Sequence, residues 1–132
     1  MINNESKKNN VQKDAFGEKV CDLSYLAEMM GNKNHLIKNI LDTFLVQISE
    51  ELQLINDAIE KSDYVAIKQL AHTIKTSVSI MSISTLTPVL QEMETLGAMA
   101  TDIEKIKQLN VSLNSICKRA SNEIKIEINN YN

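Results

Sequence analysis

Leu70-Ala71-His72-Thr73-Ile74-Lys75-Thr76-Ser77 stands near the middle of the chain, and its phase bears on both the fold and the function. Read as a helix, it turns Leu70, Ala71, Ile74 and Val78 to one side. Lys68, His72, Lys75 and Ser79 fall on the other, because residues three and four apart share a helix face. A histidine therefore occupies the polar face of an amphipathic helix, with one lysine a turn before it and another a turn after. Extended outward, the apolar stripe takes in Ile67 and Met81. Ser62 is the expected N-cap, and Asp63 lies favourably near the positive helix end.

Upstream, Ile37, Ile40, Leu41, Phe44, Ile48, Leu52, Ile55 and Ile59 recur at helical spacing over about six turns. Leu36, Leu45, Val46 and Leu54 widen that stripe, so the pattern predicts a helix from Asn32 or Asn34 to about Lys61 with several neighbours. Before it, Asp22 is the expected cap of a short helix, Leu23 to Met30, which Gly31 ends as a left-handed residue. Downstream, Ser84 is the expected cap of a helix with Pro88 in its first turn, where the missing N–H is harmless. Val89, Leu90, Met93 and Leu96 form its core face, and Gly97 lies near its end. Thr101 and Glu104 match a capping box for a last helix reaching about Ile128, with Ile106, Leu109, Leu113, Ile116, Ala120 and Ile124 in its stripe.

These segments predict an all-α fold: an antiparallel up-down-up-down four-helix bundle with a short additional N-terminal helix. Residues 1–17, rich in Asn, Lys, Ser and Glu, read as a flexible tail. The domain is expected over 18–128, with residues 129–132 fraying. Three glycines and one proline in 132 residues fit long, seldom interrupted helices.

Composition removes several function classes. With 14 basic and 17 acidic residues the net charge is −3, too little positive charge for a nucleic-acid binder. The apolar runs are too short for a membrane span, and the first residues lack a secretion core, which makes the cytoplasm the expected location. Cys21 and Cys117 match no metal spacing and read as reduced, buried small side chains. Two distant histidines without a carboxylate cluster do not suggest zinc, and no glycine-rich phosphate loop provides an ATP site.

His72 is either an idle surface histidine, as His35 is expected to be, or a working one. Lys68 and Lys75 can neutralise a group that becomes strongly negative, and the small side chains of Ala71, Thr73, Thr76, Ser77 and Ser79 leave the ring accessible. Neutral imidazole is a competent nucleophile near pH 7, and ammonium groups offset charge on a moving phosphoryl group. No serine or cysteine pairs with His72 and a carboxylate in a single hydrolytic motif.

At this point the sequence resembles a family. His72-Thr73-Ile74-Lys75-Thr76-Ser77 is similar to the H-x-[LI]-K-G-S signature of histidine-containing phosphotransfer (HPt) domains. Asp22-Leu23-Ser24-Tyr25-Leu26 with Met29-Met30-Gly31-Asn32, then Leu41 through Leu52, Ala58 to Tyr64, and Leu86, Leu90 and Glu94 extend the resemblance over roughly Val20 to Ile128. It implies a monomeric phosphoryl carrier, not an enzyme with its own ATP site, which exchanges a phosphoryl group with receiver-domain aspartates or takes one from a hybrid histidine kinase. No cofactor is implied, Mg²⁺ being expected only in the partner receiver. His72 would carry the group on Nε2 and Lys75 would assist. Glu94, with Gln91 a turn earlier, would hold Nδ1, and Lys68, Thr76 and Ser79 would border the site. Glu94 is otherwise a solvated helix carboxylate.

Two positions depart from the pattern: Thr76 replaces the glycine after the lysine, and Ser82 replaces the later one. Thr76 would either narrow the approach of a receiver or lend its hydroxyl to the phosphoryl oxygens. Both departures also suit a degenerate domain that docks a receiver or kinase without transfer, and a purely structural bundle is the third reading. The docking surface is expected around His72, the short first helix and the start of the second, with Met30 and Leu36 either in it or in the core.

Overall fold

The computed structural model describes residues 19–131; the tail expected over 1–17 lies outside them. Five α-helices follow in order: α1 (Ser24–Met29), α2 (Asn34–Glu60), α3 (Tyr64–Ile80), α4 (Leu86–Met99) and α5 (Ile103–Glu127). No strand occurs among the described residues. Consecutive long helices pack side by side, and α5 closes the ring against α2, with the most extensive contact between α3 and α4. The chain is thus the expected all-α bundle.

Each long helix places its apolar stripe in one shared core. Ile37, Leu41, Phe44, Ile48 and Ile55 of α2 meet Ile67, Ala71, Ile74 and Val78 of α3, all buried. Leu86, Leu90 and Met93 of α4 and Ile106, Leu113, Cys117, Ala120 and Ile124 of α5 complete it. Each Val, Leu, Ile, Phe or Met side chain among them contributes about 1.5–3 kcal/mol on burial. Val46 and Leu54, expected to widen the α2 stripe, are 62% and 54% exposed. A helix with two neighbours buries a face, not its whole circumference.

Helices α1 to α4 stop by one device. The N–H groups of Asn32, Asp63, Ile83 and Thr101 reach back five residues to the carbonyls of Ala27, Ala58, Val78 and Leu96. A left-handed residue precedes or makes that bond: Gly31 and Asn32, Ser62, Ser82 and Ala100. This is the Schellman closure of a helix end, and it shifts the expected caps. Ser62, at φ +52°, is occupied ending α2, so Asp63 caps α3 by accepting the Ala66 N–H at 3.2 Å. Asp102, not Thr101, caps α5, accepting the Lys105 N–H at 3.2 Å. Before α4, the buried Ile83 pulls the connection tight, and Ser84 accepts the Thr87 N–H through its carbonyl. Thr85 is the N-cap there, without a side-chain cap bond.

Two polar ties hold the ends and the middle. Glu123 on α5 accepts the Val20 and Cys21 N–H groups at 2.7 and 3.1 Å, and the Asp22 N–H donates to the Met81 carbonyl at 3.1 Å. The segment before α1 is thereby tied to the ends of α5 and α3. Asn56 on α2 meets Asn110 and Asn114 on α5 in a part-buried amide cluster, with Asn110 Nδ2 donating to Asn56 Oδ1 at 2.7 Å. Ile128–Tyr131 forms a 3₁₀ turn, and Ile128 and Tyr131 pack against the core. Both cysteines are free. Burial, and for Cys21 also the neighbouring Glu123, pushes each thiol up to about 12, so neither is a thiolate at neutral pH.

A left-handed alanine is disfavoured by about 1–2 kcal/mol, whereas glycine pays no such penalty but loses more chain entropy. Ala100→Gly is therefore expected to stabilise the domain by about 0.5–1 kcal/mol in denaturant titration. Destabilisation would contradict this account of the helix stop. Glu123→Ala is expected to cost about 1.5–3 kcal/mol, the range for hydrogen bonds to a charged group. It should also abolish exchange protection at the Val20 and Cys21 amides.

Candidate phosphoryl-acceptor site

His72, Lys75 and Thr76 project from the face of α3 opposite Ala71, Ile74 and Val78, as the helix phase requires. The imidazole is 64% exposed, although its backbone belongs to a buried helix. Across it, α4 runs antiparallel and supplies Gln91, Glu94 and Gly97 from successive turns of one face. These form rungs with α3. Lys75 Nζ donates to Gln91 Oε1 at 2.8 Å and to Glu94 Oε1 at 2.9 Å. His72 Nδ1 lies 3.1 Å from Glu94 Oε2.

The last rung has no side chain on α4. A side-chain carbon at Gly97 would sit 2.9 Å from the Lys68 backbone nitrogen and 3.1 Å from its Cα. Glycine is needed here for close approach, not for its dihedral freedom. The contact lies one turn from Glu94 on α4 and one turn from His72 on α3, so it sets the separation across which the histidine and carboxylate meet.

Glu94 determines the state of the ring. The hydrogen bond from Lys75 holds its carboxyl below the ordinary value of 4.5 against an opposing effect of burial, and the Lys75 charge and His72 add to the lowering. An ionised carboxylate only accepts, so Nδ1 of the neutral imidazole must carry the proton. The lone pair is then left on Nε2. Lys75 fixes the carboxylate, and the carboxylate fixes the tautomer.

The other expected site residues divide. Gln91 joins the site through Lys75. The Ser79 hydroxyl donates to the Lys75 carbonyl at 2.8 Å and the Thr76 hydroxyl to the His72 carbonyl at 3.4 Å, so both are turned onto their own helix. Lys68 is exposed beside His72, and the two share the wall of an open recess with Gln69, Thr73 and Glu94. Gly97 escaped the sequence reading as a site residue, since its role depends on which turn of α3 it faces. Ser82, at φ +52°, ends α3; the glycine it replaces suits that left-handed position, away from the histidine. Among the described residues no group of His, Cys, Asp and Glu side chains could hold a metal ion, and no helix is long and apolar enough to cross a membrane.

The helical bundle thus presents an exposed histidine backed by a carboxylate from the next helix. The family model of the Hpt domain matches residues 39–123, more than half of the chain, and the chain belongs to that family. Hpt domains are phosphotransfer modules of two-component systems that lack an ATP site of their own and interact with receiver domains and histidine kinases. No curated protein and no solved structure matches the chain significantly.

Gly97→Ala separates site geometry from stability. Overpacking costs about 1–3 kcal/mol, partly offset by a helix-propensity gain of about 1 kcal/mol, so the bundle should persist. The ¹⁵N shifts of His72 should nonetheless move toward a mixture of tautomers; unchanged shifts would refute the role of the close approach. For Glu94, a lowered folded-state value means a contribution present above its ordinary 4.5 and lost as pH falls through the folded value. Glu94→Gln should therefore be less stable than wild type at pH 7, the difference closing as the pH falls through the lowered folded-state value of Glu94. A constant difference across that range would contradict the pairing.

Proposed function

We propose that this protein carries a phosphoryl group on His72 Nε2 and exchanges it with receiver-domain aspartates in a two-component relay. The observation that carries the reading is the 3.1 Å contact between His72 Nδ1 and the ionised Glu94, which leaves the nucleophilic lone pair on the outer nitrogen. That lone pair attacks the phosphorus of an aspartyl phosphate. The N–P bond forms as the P–O bond breaks, and the aspartate carboxylate leaves with the bonding electrons. The ring, still protonated at Nδ1, becomes cationic, and Glu94 balances that charge from across the rung. Attack by a second receiver's carboxylate reverses the step. Because the product is an N-phosphorylated imidazole, it stays reactive enough to be passed on.

A receiver has a surface to dock on. An apolar groove lined by Leu26, Met29, Ile40, Phe44, Ile80 and Met81 opens between α1, α2 and α3. Ile80 stands two turns beyond His72 on α3, about 12 Å at 1.5 Å per residue, with Thr76 between them. Met29 and Ile80, 50% and 39% exposed, give the groove its accessible apolar rim, while Met30 packs against the core. An apolar centre within a polar margin is the usual make-up of a protein interface. Mg²⁺ would arrive bound to the receiver, and the carrier acts as a cytoplasmic monomer that takes its phosphoryl group from a receiver or a hybrid histidine kinase.

Thr76, exposed on α3, lies between Ile80 of the groove and His72 along the helix. Its hydroxyl is committed to its own helix, so its added bulk is the property a receiver meets. Thr76→Gly is expected to raise the transfer rate; an unchanged rate would remove Thr76 as a restriction on docking. The reading itself is tested with a panel of phosphorylated receiver domains. Wild type should acquire acid-labile, alkali-stable phosphate and His72→Gln none. Absence of label on the wild type would overturn carriage, and receiver binding without label would support the degenerate docking domain instead.

A further inference from the structure

We infer that Lys68, rather than Lys75, supplies the positive charge that meets the phosphoryl oxygens in this chain, and that Lys75 is a positioning residue acting through Glu94. The inference rests on the carrier reading and assigns the two lysines different tasks within it. Lys75 is already engaged: its ammonium donates at 2.8 Å to Gln91 and at 2.9 Å to Glu94, and its side chain is 24% exposed. To reach a phosphoryl group it would have to leave the carboxylate that fixes His72. The transfer site would lose its tautomer at the moment it gained a counter-charge.

Lys68 carries no such commitment. Among the described residues nothing forms a hydrogen bond or ion pair with its ammonium, and its side chain is exposed. It lies one turn N-terminal to His72 on the same face of α3. The recess beside His72 is walled by Lys68, Gln69, Thr73 and Glu94, and Lys75 has no part in it. Gly97 explains why Lys68 has no α4 partner at its own rung: that turn of α4 has no side chain to offer, and any carbon there would collide with the Lys68 backbone. A phosphoryl dianion on the imidazole then has one mobile cation within the recess. The pairing is exposed, so it must weaken with salt.

The test uses phosphoramidate, a small donor that needs no docking surface. Its N–P bond breaks, ammonia leaves, and a new N–P bond forms at His72. At low ionic strength Lys68→Ala should slow labelling roughly two- to fivefold, the scale of an exposed ion pair. The deficit should shrink in high salt. Lys68→Arg should retain most of the rate. Lys68→Ala should leave the His72 ¹⁵N shifts unchanged, whereas Lys75→Ala should move them toward mixed tautomers. Wild-type labelling rates in Lys68→Ala at low salt, or a deficit indifferent to salt, would overturn the inference while leaving the carrier reading intact. A wild type that takes label neither from phosphoramidate nor from any receiver would overturn both.

Discussion

The close approach of α3 and α4, where Gly97 rests against the backbone of Lys68, is the constraint on which the site depends. Helices pack at a distance set by the side chains between them. With no side chain on one partner, the two backbones come close enough for Glu94 to reach His72 and Lys75 together. The burial of Ile74 and Val78 beneath the site, and of Leu90 and Met93 opposite, makes that spacing rigid. Close-packed interiors transmit small displacements instead of absorbing them. The core therefore does more than stabilise the fold: it sets a hydrogen bond on the surface.

The electrostatics follow from sharing one carboxylate. Glu94 would be an ordinary exposed acid on an isolated helix. Between Lys75 and His72 its carboxyl is held below the ordinary range, and each oxygen has its own donor. A preorganised acceptor costs no reorganisation when charge develops on the ring. The surrounding hydroxyls have a different place. Thr73, Thr76 and Ser79 donate to carbonyls of their own helix, which leaves the face around the imidazole low and uncluttered without adding competing donors.

Much of this was legible in the sequence because it depends on helical phase. The 3.6-residue repeat carried the stripes of all four long helices, the exposure of His72, and Glu94 as its partner once the family pattern was brought in. What escaped depends on tertiary placement. Ser62, Ser84 and Thr101 looked like caps by residue type, but left-handed helix stops and a buried Ile83 moved the capping to Asp63, backbone carbonyls and Asp102. Polar side chains with several competing local roles are poor markers of a boundary. Glu123 as a clamp on Val20 and Cys21, and the Asn56–Asn110–Asn114 cluster, join positions far apart in the chain and leave no local signal. Gly97 read as a residue near a helix end; its meaning lies in the turn of α3 opposite it.

The most direct measurement is heteronuclear NMR on uniformly ¹⁵N-labelled protein phosphorylated by a receiver domain. The account predicts a single phosphohistidine, His72, with the phosphorus bonded to Nε2 and the Nδ1 proton retained in a hydrogen bond to Glu94. Phosphorus on Nδ1, or on any residue other than His72, would contradict it.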